Sequence, residues 1–271
     1  MRTRRALSAA GLVLLGVVLV LPLYFALVSS FRPEAELFAA PSLSPRGFSL
    51  EHYRALFSGR SFWLPIKNSL VVAGATTVLS VVLGTLCAYA LARLRFRGRK
   101  LVATAILAIG MFPQISIVSP LYLMLRKVGL IDTYPGLVLP YLTFAMPLTV
   151  WLLYGYFRQL PAALEEAAWI DGASRLRALF EVVLPLALPG IATTAILTFV
   201  YAWNEFLFAL SFTLGPERQT VPVAIALLSG RYQVPWGQIL AAAIVATLPV
   251  AVAVLVFQRR IVRSLSAGGG R

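Results

Sequence analysis

Residues 161–185, PAALEEAAWIDGASRLRALFEVVLP, combine charges, small residues and turn signals between two long apolar runs. Pro161 suits the first turn of a helix, where its missing N–H has no partner to lose. Asp171-Gly172 predicts a turn that ends this helix, and Ser174 predicts the cap of a second one. The stretch is therefore predicted to form a short helix-turn-helix.

The helix-turn-helix has two faces of different chemistry. One face carries small residues, namely Ala167, Ala168, Gly172 and Ala173. The second helix carries apolar residues at helical spacing, namely Leu176, Leu179, Phe180 and Val183. Small side chains let another backbone approach closely, so we interpret the element as a docking element.

The composition sets the class of protein. The chain has 271 residues, of which 59% are apolar and 13% charged, and its mean hydropathy is +0.84. Soluble domains average about 45–50% apolar and about 25% charged residues. We therefore predict an all-α, polytopic integral membrane protein. A single cysteine (Cys87) excludes an intrachain disulfide, and a single histidine (His52) excludes multi-histidine metal chemistry. Because His52 lies in a predicted outer loop, it cannot supply the catalytic pair of a membrane protease within the spans.

The apolar runs predict six transmembrane spans within a single domain, residues 1–271. The spans are predicted at residues 6–28, 66–92, 101–125, 136–156, 186–212 and 239–257. The first run is too long for the core of a cleaved signal peptide. Pro113 in the third span and Pro140 and Pro147 in the fourth predict helix breaks, as fixed kinks or as hinges.

Positive charge indicates the orientation and excludes one class of partner. With the N-terminus inside, 15 of the 24 Lys and Arg residues fall on the inner side and nine on the outer side. Both termini and residues 161–185 are then cytoplasmic. The formal charge of +14 does not indicate nucleic acid binding, because the basic residues lie at span ends. The cluster from Arg93 to Lys100 fits contact with lipid headgroups first and with a protein partner second.

Several segments together resemble a known family. The residues Glu166-Ala167-Ala168, Asp171-Gly172-Ala173, Phe180 and Leu184-Pro185 resemble the cytoplasmic "EAA" loop of ABC-importer permeases, most of all the maltose-transporter type that imports sugars. Asn68-Ser69, Tyr89 to Arg93, Gly129 to Thr133 and Trp203 to Phe206 are similar to further segments of that family, and Ser266-Ala267-Gly268-Gly269 to its C-terminal tail. The resemblance covers nearly the whole chain.

The resemblance implies a transport subunit in the bacterial inner membrane that moves a di- or oligosaccharide by alternating access. It implies a coupling loop at residues 158–185, a second permease subunit, two ATP-binding subunits and an extracytoplasmic sugar-binding protein. The chain lacks a Gly-rich phosphate loop ending in Gly-Lys-Ser/Thr, so ATP and magnesium are expected on the partner subunits and no cofactor or metal in this chain. It is expected not to be an enzyme itself.

Roles follow for individual residues. Glu166 and Asp171 are predicted to couple the loop to an ATP-binding subunit, with Gly172 permitting the turn, whereas Glu165 is interpreted as a solvated charge on the helix surface. Possible substrate-pathway residues are Asn204, Glu205, Tyr201, Gln114, Ser116 and Asn68, and possible tail contacts with the ATPase are Ser266, Ala267, Gly268 and Gly269.

Alternatives stay open for these residues and for the transport class. Glu205 and Asn204 either line a cavity or lie at the membrane interface, where Tyr201 and Trp203 would be aromatic anchors. An ion-coupled secondary transporter would need acidic residues near mid-bilayer, and Glu205 is the only acid within a predicted span. An ABC permease for a solute other than a sugar is the remaining alternative.

Overall fold

The computed structural model describes residues 2–38, 47–59, 61–230 and 234–268. Within these ranges the regular structure is helical, and no β-strand occurs. Five helices are long and apolar enough to cross a membrane, and a bent pair of helices makes a sixth candidate span. The predicted all-α membrane fold is confirmed. The helices divide into two compact units, formed by residues 1–63 with 224–249 and by residues 64–223 with 250–271.

The first unit contains the N-terminal apolar helix and a short helical corner. Its elements are α1 (Arg2–Ser30), a single 3₁₀ turn (Glu34–Glu36), and α2 (Glu51–Arg54), which continues into a π-helical turn (Ala55–Gly59). His52 is buried, and its Nε2 lies 2.8 Å from the carbonyl oxygen of Arg32. A Cβ at Gly237 would overlap the His52 ring, so the glycine permits this close packing.

The second unit contains the main helical bundle. Its elements are α3 (Trp63–Arg93), α4 (Arg99–Met111), α5 (Gln114–Lys127), α6 (Tyr134–Gln159), α7 (Ala163–Ile170), α8 (Arg175–Ala178), a π-helical turn (Leu179–Val183), α9 (Leu184–Trp203) and α10 (Leu207–Phe212). Three of the described helices have residues in both units: α3, whose first residue Trp63 belongs to the first unit, α11 (Val221–Ala226) and α12 (Trp236–Gly268).

The third predicted span is not one straight helix. Helices α4 and α5 meet at an angle of 95°. Phe112 has extended backbone angles (φ −72°, ψ 137°), which a residue before proline prefers, and Pro113 follows it. At 1.5 Å per residue the 13 residues of α4 and the 14 of α5 extend only about 20 Å each, so neither half crosses a bilayer alone.

Two other predictions about the spans are corrected. Pro140 and Pro147 do not break the fourth span, because α6 continues through both prolines. The fifth span ends at Trp203 rather than at residue 212, and α10 follows after a short turn. The assignment of residues 1–271 to one domain stays a prediction.

Helix α6 begins and ends where its sequence dictates. The Thr133 hydroxyl accepts a hydrogen bond from the Gly136 N–H (3.1 Å), and a proline follows the cap at the start of the helix. At the other end Leu160 is extended because Pro161 follows it. This end delivers the chain directly into residues 161–185.

Candidate functional site: residues 161–185 and their attachment to the bundle

Residues 161–185, which we call the coupling segment, form the predicted helix-turn-helix. Helix α7 ends at Ile170 with Asp171 as its C-cap, and Gly172 takes the left-handed conformation (φ +85°) that this turn requires. The Ser174 hydroxyl accepts a hydrogen bond from the Arg177 N–H (3.2 Å) and so caps α8. The predicted turn and cap are therefore confirmed.

The second half of the segment is continuous with a membrane span. Helix α8, the π-helical turn and α9 run together from Arg175 to Trp203 without a break. Leu184 is half-buried and Pro185 exposed, and Pro185 lies in the first turn of α9, where a proline does not interrupt the helix. A displacement of the segment therefore reaches α9 through one continuous helix.

The inner side of the segment packs on the bundle core. Leu179 and Val183 are buried with Ala187 against side chains of α3 and α6 that include Leu91 and Leu153. The predicted stripe of four apolar residues is therefore split, because Leu179 and Val183 face inwards while Leu176 and Phe180 do not. The π-helical turn explains the difference, since its wider turn changes which residues share a face.

The most buried ion pair of the segment involves Glu165. Its side chain is only 3% exposed, and its Oε1 lies 2.6 Å from Nε of Arg93 at the end of α3. The Tyr89 hydroxyl donates to the Glu165 Oε2 (3.1 Å), and Arg93 Nη2 donates to the carbonyl oxygen of Leu160 (2.7 Å). The contacts fix α7 to the end of α3.

This geometry corrects two interpretations of the sequence. Glu165 is not a solvated surface charge, and Arg93, at 12% side-chain exposure, is not free to reach lipid headgroups. The sequence did indicate that Tyr89 and Arg93 matter, because both belong to a segment that resembles the permease family. What the sequence did not show is that this segment faces the first glutamate of the pair and not Glu166.

The outer side of the segment is exposed and largely apolar. Ile170 is 85% exposed, Leu176 64% and Phe180 59%, which are high values for large apolar side chains. Glu166, Asp171 and the small residues of the turn are also open; Ala167 and Gly172 are exposed, and Ala168 and Ala173 are half-buried. The segment thus presents apolar and acidic side chains around a turn without bulky residues.

Two of the pathway candidates meet at the break in the third span. Gln114 begins α5 directly after Pro113, and its Nε2 donates to the Tyr201 hydroxyl of α9 (2.6 Å). Both side chains are half-buried and form a neutral polar contact at the bend. Ser116, two residues further along α5, is exposed and is not part of this contact.

Glu205 and Asn204 lie just beyond the end of α9. Glu205 is 7% exposed, and its two carboxylate oxygens accept the N–H groups of Phe208 (2.8 Å) and Ala209 (3.1 Å). The Glu205 carboxylate therefore caps the N-terminus of α10, and it is a structural group instead of an isolated charge in the membrane. Asn204 is exposed, and its amide donates to the Val200 carbonyl of its own helix (2.7 Å).

Asn68 holds a loop and does not face an open path in this conformation. It is fully buried, and its Nδ2 donates to the carbonyl oxygens of Glu217 (3.0 Å) and Gln219 (2.9 Å). Its Oδ1 accepts the Tyr134 hydroxyl (2.8 Å). With all three contacts made, Asn68 fixes the loop between α10 and α11 to α3 and α6.

The C-terminal candidates lie at the edge of the described chain. Ser266, Ala267 and Gly268 belong to the last turn of α12. Gly269 lies outside the described residues. Their contact with an ATPase stays a prediction.

The sequence matches a known family of membrane transport proteins. A family model described as "Binding-protein-dependent transport system inner membrane component" matches residues 80–267, which include the coupling segment and both of its attachments. The chain belongs to this family.

Curated relatives of the permease are similar over most of its length. The trehalose/maltose transport system permease protein MalG of Thermococcus litoralis is 39% identical, with 98% of this chain and 96% of that protein covered. The trehalose transport system permease protein SugB of Mycobacterium tuberculosis is 48% identical, with 83% of each chain covered. The diacetylchitobiose uptake system permease protein NgcG of Streptomyces coelicolor is 37% identical, with 97% of this chain and 88% of that protein covered.

A solved structure shows the same fold. A chain of a bacterial ABC transporter that imports the acidic polysaccharide alginate superposes with a TM-score of 0.77 at 24% identity, covering 96% of this chain and 98% of that one. The permease is therefore an integral inner-membrane transport protein with the fold of ABC-importer permeases.

Proposed function

We propose that this permease is the membrane subunit of an ATP-driven importer for a di- or oligosaccharide. The class rests on the family, and the substrate class rests on relatives whose names specify trehalose, maltose and diacetylchitobiose. The neutral polar contact at the bend, between Gln114 and Tyr201, suits hydroxyl groups better than a charged solute. We assign these two residues, with Ser116 and Asn204, to the solute path.

The observation that carries the proposal is the two-sided coupling segment. Its outer side exposes Ile170, Leu176 and Phe180, while its inner side is fixed by the Arg93–Glu165 ion pair and by buried apolar packing. Exposed apolar side chains around an open turn suit a protein partner. A partner that moves this surface would move α3 and α9 with it.

The partner is proposed to be an ATP-binding subunit, one of two in the complex, each carrying ATP and magnesium. This chain then has no ATPase site of its own. Closure of the ATP-binding subunits would displace the coupling segment as a rigid body and shift the bundle between two packings. The bent pair α4 and α5 gives the bundle a break at which such a change can occur.

The orientation and the other partners belong to the same proposal. The excess of Lys and Arg puts both termini and the coupling segment in the cytoplasm, where ATP is available. The family description implies a solute-binding protein on the other side of the membrane. A second, homologous permease subunit would complete the pore.

The experiment is purification of the tagged permease from its native membrane in mild detergent, with the co-purifying chains identified by mass. We expect an ATP-binding subunit and a second permease, and we expect the associated binding protein to carry a sugar. Recovery of the chain alone, even after gentle cross-linking, would contradict the importer and favour an ion-coupled transporter. A binding protein that carries a non-sugar solute would overturn the substrate class only.

A further inference from the structure

A basic cleft lies beside the coupling segment, and three of its arginines, Arg95, Arg99 and Arg175, take no part in the coupling contacts described above. It has a volume of about 460 Å³ and lies between the end of α3, the start of α4 and α7. Arg95, Arg99 and Arg175 line it, together with Glu166 and Trp169. The Arg93–Glu165 ion pair also forms part of its lining.

The charges of this cleft do not balance. Arg93 and Glu165, which also line it, neutralise each other. Within the described part of the chain, none of the other three arginines has a carboxylate within the 4.0 Å of an ion pair, and Glu166 is the one remaining acid in the lining. Three positive charges thus face a single negative one, which favours an anion that enters between them.

Two features orient these charges towards a ligand. The Arg175 guanidinium lies 5.8 Å from the centre of the Trp169 ring, and this stacking limits the orientations of its donors. Helix α4 begins at Arg99 without a side-chain cap, so the positive end of its dipole adds to the potential at the cleft. Guanidinium groups and helix N-termini both prefer phosphate among biological anions.

We propose that this cleft binds a phosphate group, either the headgroup of an anionic phospholipid or a free phosphate. The position of the cleft favours the headgroup. Helix α3 ends and α4 begins at this level, so the hydrocarbon region ends here. Phe96 and Leu101 are 42% and 74% exposed beside the arginines, as expected for side chains that enter the membrane interface.

A headgroup in this cleft would link the coupling segment to the lipid around it. The phosphate would contact Arg95 and Arg99 on the bundle and Arg175 on the coupling segment at the same time. It would thereby attach the coupling segment to the bundle at a second point, independent of the Arg93–Glu165 ion pair. This role goes beyond sugar transport and holds whichever solute the permease carries.

The test measures lipid binding to the full-length permease in a neutral detergent by native mass spectrometry. Phosphatidylglycerol is the anionic probe, phosphatidylcholine the zwitterionic one, and inorganic phosphate the soluble competitor. We expect Arg95→Gln and Arg175→Gln each to weaken phosphatidylglycerol binding about fivefold, at about 1 kcal/mol per charge. Arg126→Gln, an exposed arginine at the far end of α5, is the matched control and should change little.

Each outcome decides the proposal. Selective binding of phosphatidylglycerol that the cleft variants weaken supports a headgroup site, and displacement of that lipid by inorganic phosphate supports a site for the free anion. Equal binding of the two lipids, or equal effects of the cleft and control variants, would overturn the site. Loss of binding in the complex with the ATP-binding subunit would show that the cleft belongs to the protein interface and would also overturn it. Transport is not measured, so failure here is distinguishable from failure of the proposed function.

Discussion

Neutralising Glu165 should uncouple ATP hydrolysis from transport. The side chain is 3% exposed and its partner Arg93 12%, with 2.6 Å between Oε1 and Nε. Glu165→Gln keeps the shape of the side chain but leaves a mostly buried guanidinium without its carboxylate. Breaking one side of a buried pair costs about 3–5 kcal/mol. At about 1.4 kcal/mol per factor of ten, the detached position of α7 becomes at least about a hundredfold more populated.

The assay is the number of solute molecules transported per ATP hydrolysed by the reconstituted complex. We expect this ratio to fall at least about tenfold in Glu165→Gln, because a detached α7 no longer moves α3, while ATP hydrolysis continues. Arg177→Gln is the matched control on the same segment. Its partner Glu181 is one turn away and both side chains are more than half exposed, so the loss is about 0.5 kcal/mol or less.

A double variant separates the ion pair from a simple loss of packing. Arg93→Gln with Glu165→Gln removes both charges, and with them the cost of an unpaired buried charge. The double variant should therefore transport more solute per ATP than either single variant. Normal coupling in Glu165→Gln, or losses that add in the double variant, would refute the role of the pair.

Three smaller predictions address the turn, the loop and the helix packing. Gly172→Arg should leave the permease in the membrane but lower the number of solute molecules transported per ATP more than Gly172→Ala does. Both variants are strained at φ +85°, but only arginine adds a bulky side chain at the docking turn, and normal uptake by the arginine variant would exclude docking. Asn68→Ala should speed amide hydrogen exchange in the loop between α10 and α11 and lower the stability of the folded loop by about 1–3 kcal/mol. Asn204→Ala should do neither, since the Asn204 amide donates only to its own helix, and equal exchange rates in the two variants would contradict the role of Asn68 in holding the loop. Gly190→Ala should lower the Tm, because its Cβ would lie 2.5 Å from the Tyr156 ring of α6 and such overpacking costs about 1–3 kcal/mol of stability. Gly155→Ala is the control and should not lower the Tm, since a Cβ there would meet nothing within 4 Å.

The features that the sequence predicted correctly are those that depend on residues close together in the chain. The spans follow from composition, the turn at Gly172 from its conformational freedom, and the break before Pro113 from the clash that proline imposes on the residue before it. Pro140 and Pro147 carried the same signal and gave no break. Tertiary packing overrides it there, since both prolines are buried in α6 against the rest of the bundle.

The sequence could not predict contacts between distant segments. Asn68 is a polar residue in a span, and the sequence alone favours a solute contact for such a residue as readily as a structural one. Its partners lie about 150 positions away in a loop without regular structure. Glu205 is similar, because the cap that it supplies depends on where α9 ends, and element ends are the least predictable feature of a sequence.

The adjacent glutamates of the coupling segment explain why the segment can be both anchored and docked. Successive residues on an α-helix are about 100° apart, so two neighbouring carboxylates cannot both face the bundle. Glu165 faces the bundle and pairs with Arg93, whereas Glu166 is exposed beside the surface offered to a partner. In the proposed coupling, a force applied at Glu166 would be carried to α3 through Glu165, the preceding residue of the same helix. A segment that was only docked would move independently of the bundle, and one that was only attached to the bundle would receive no force, so we expect coupling to require both glutamates.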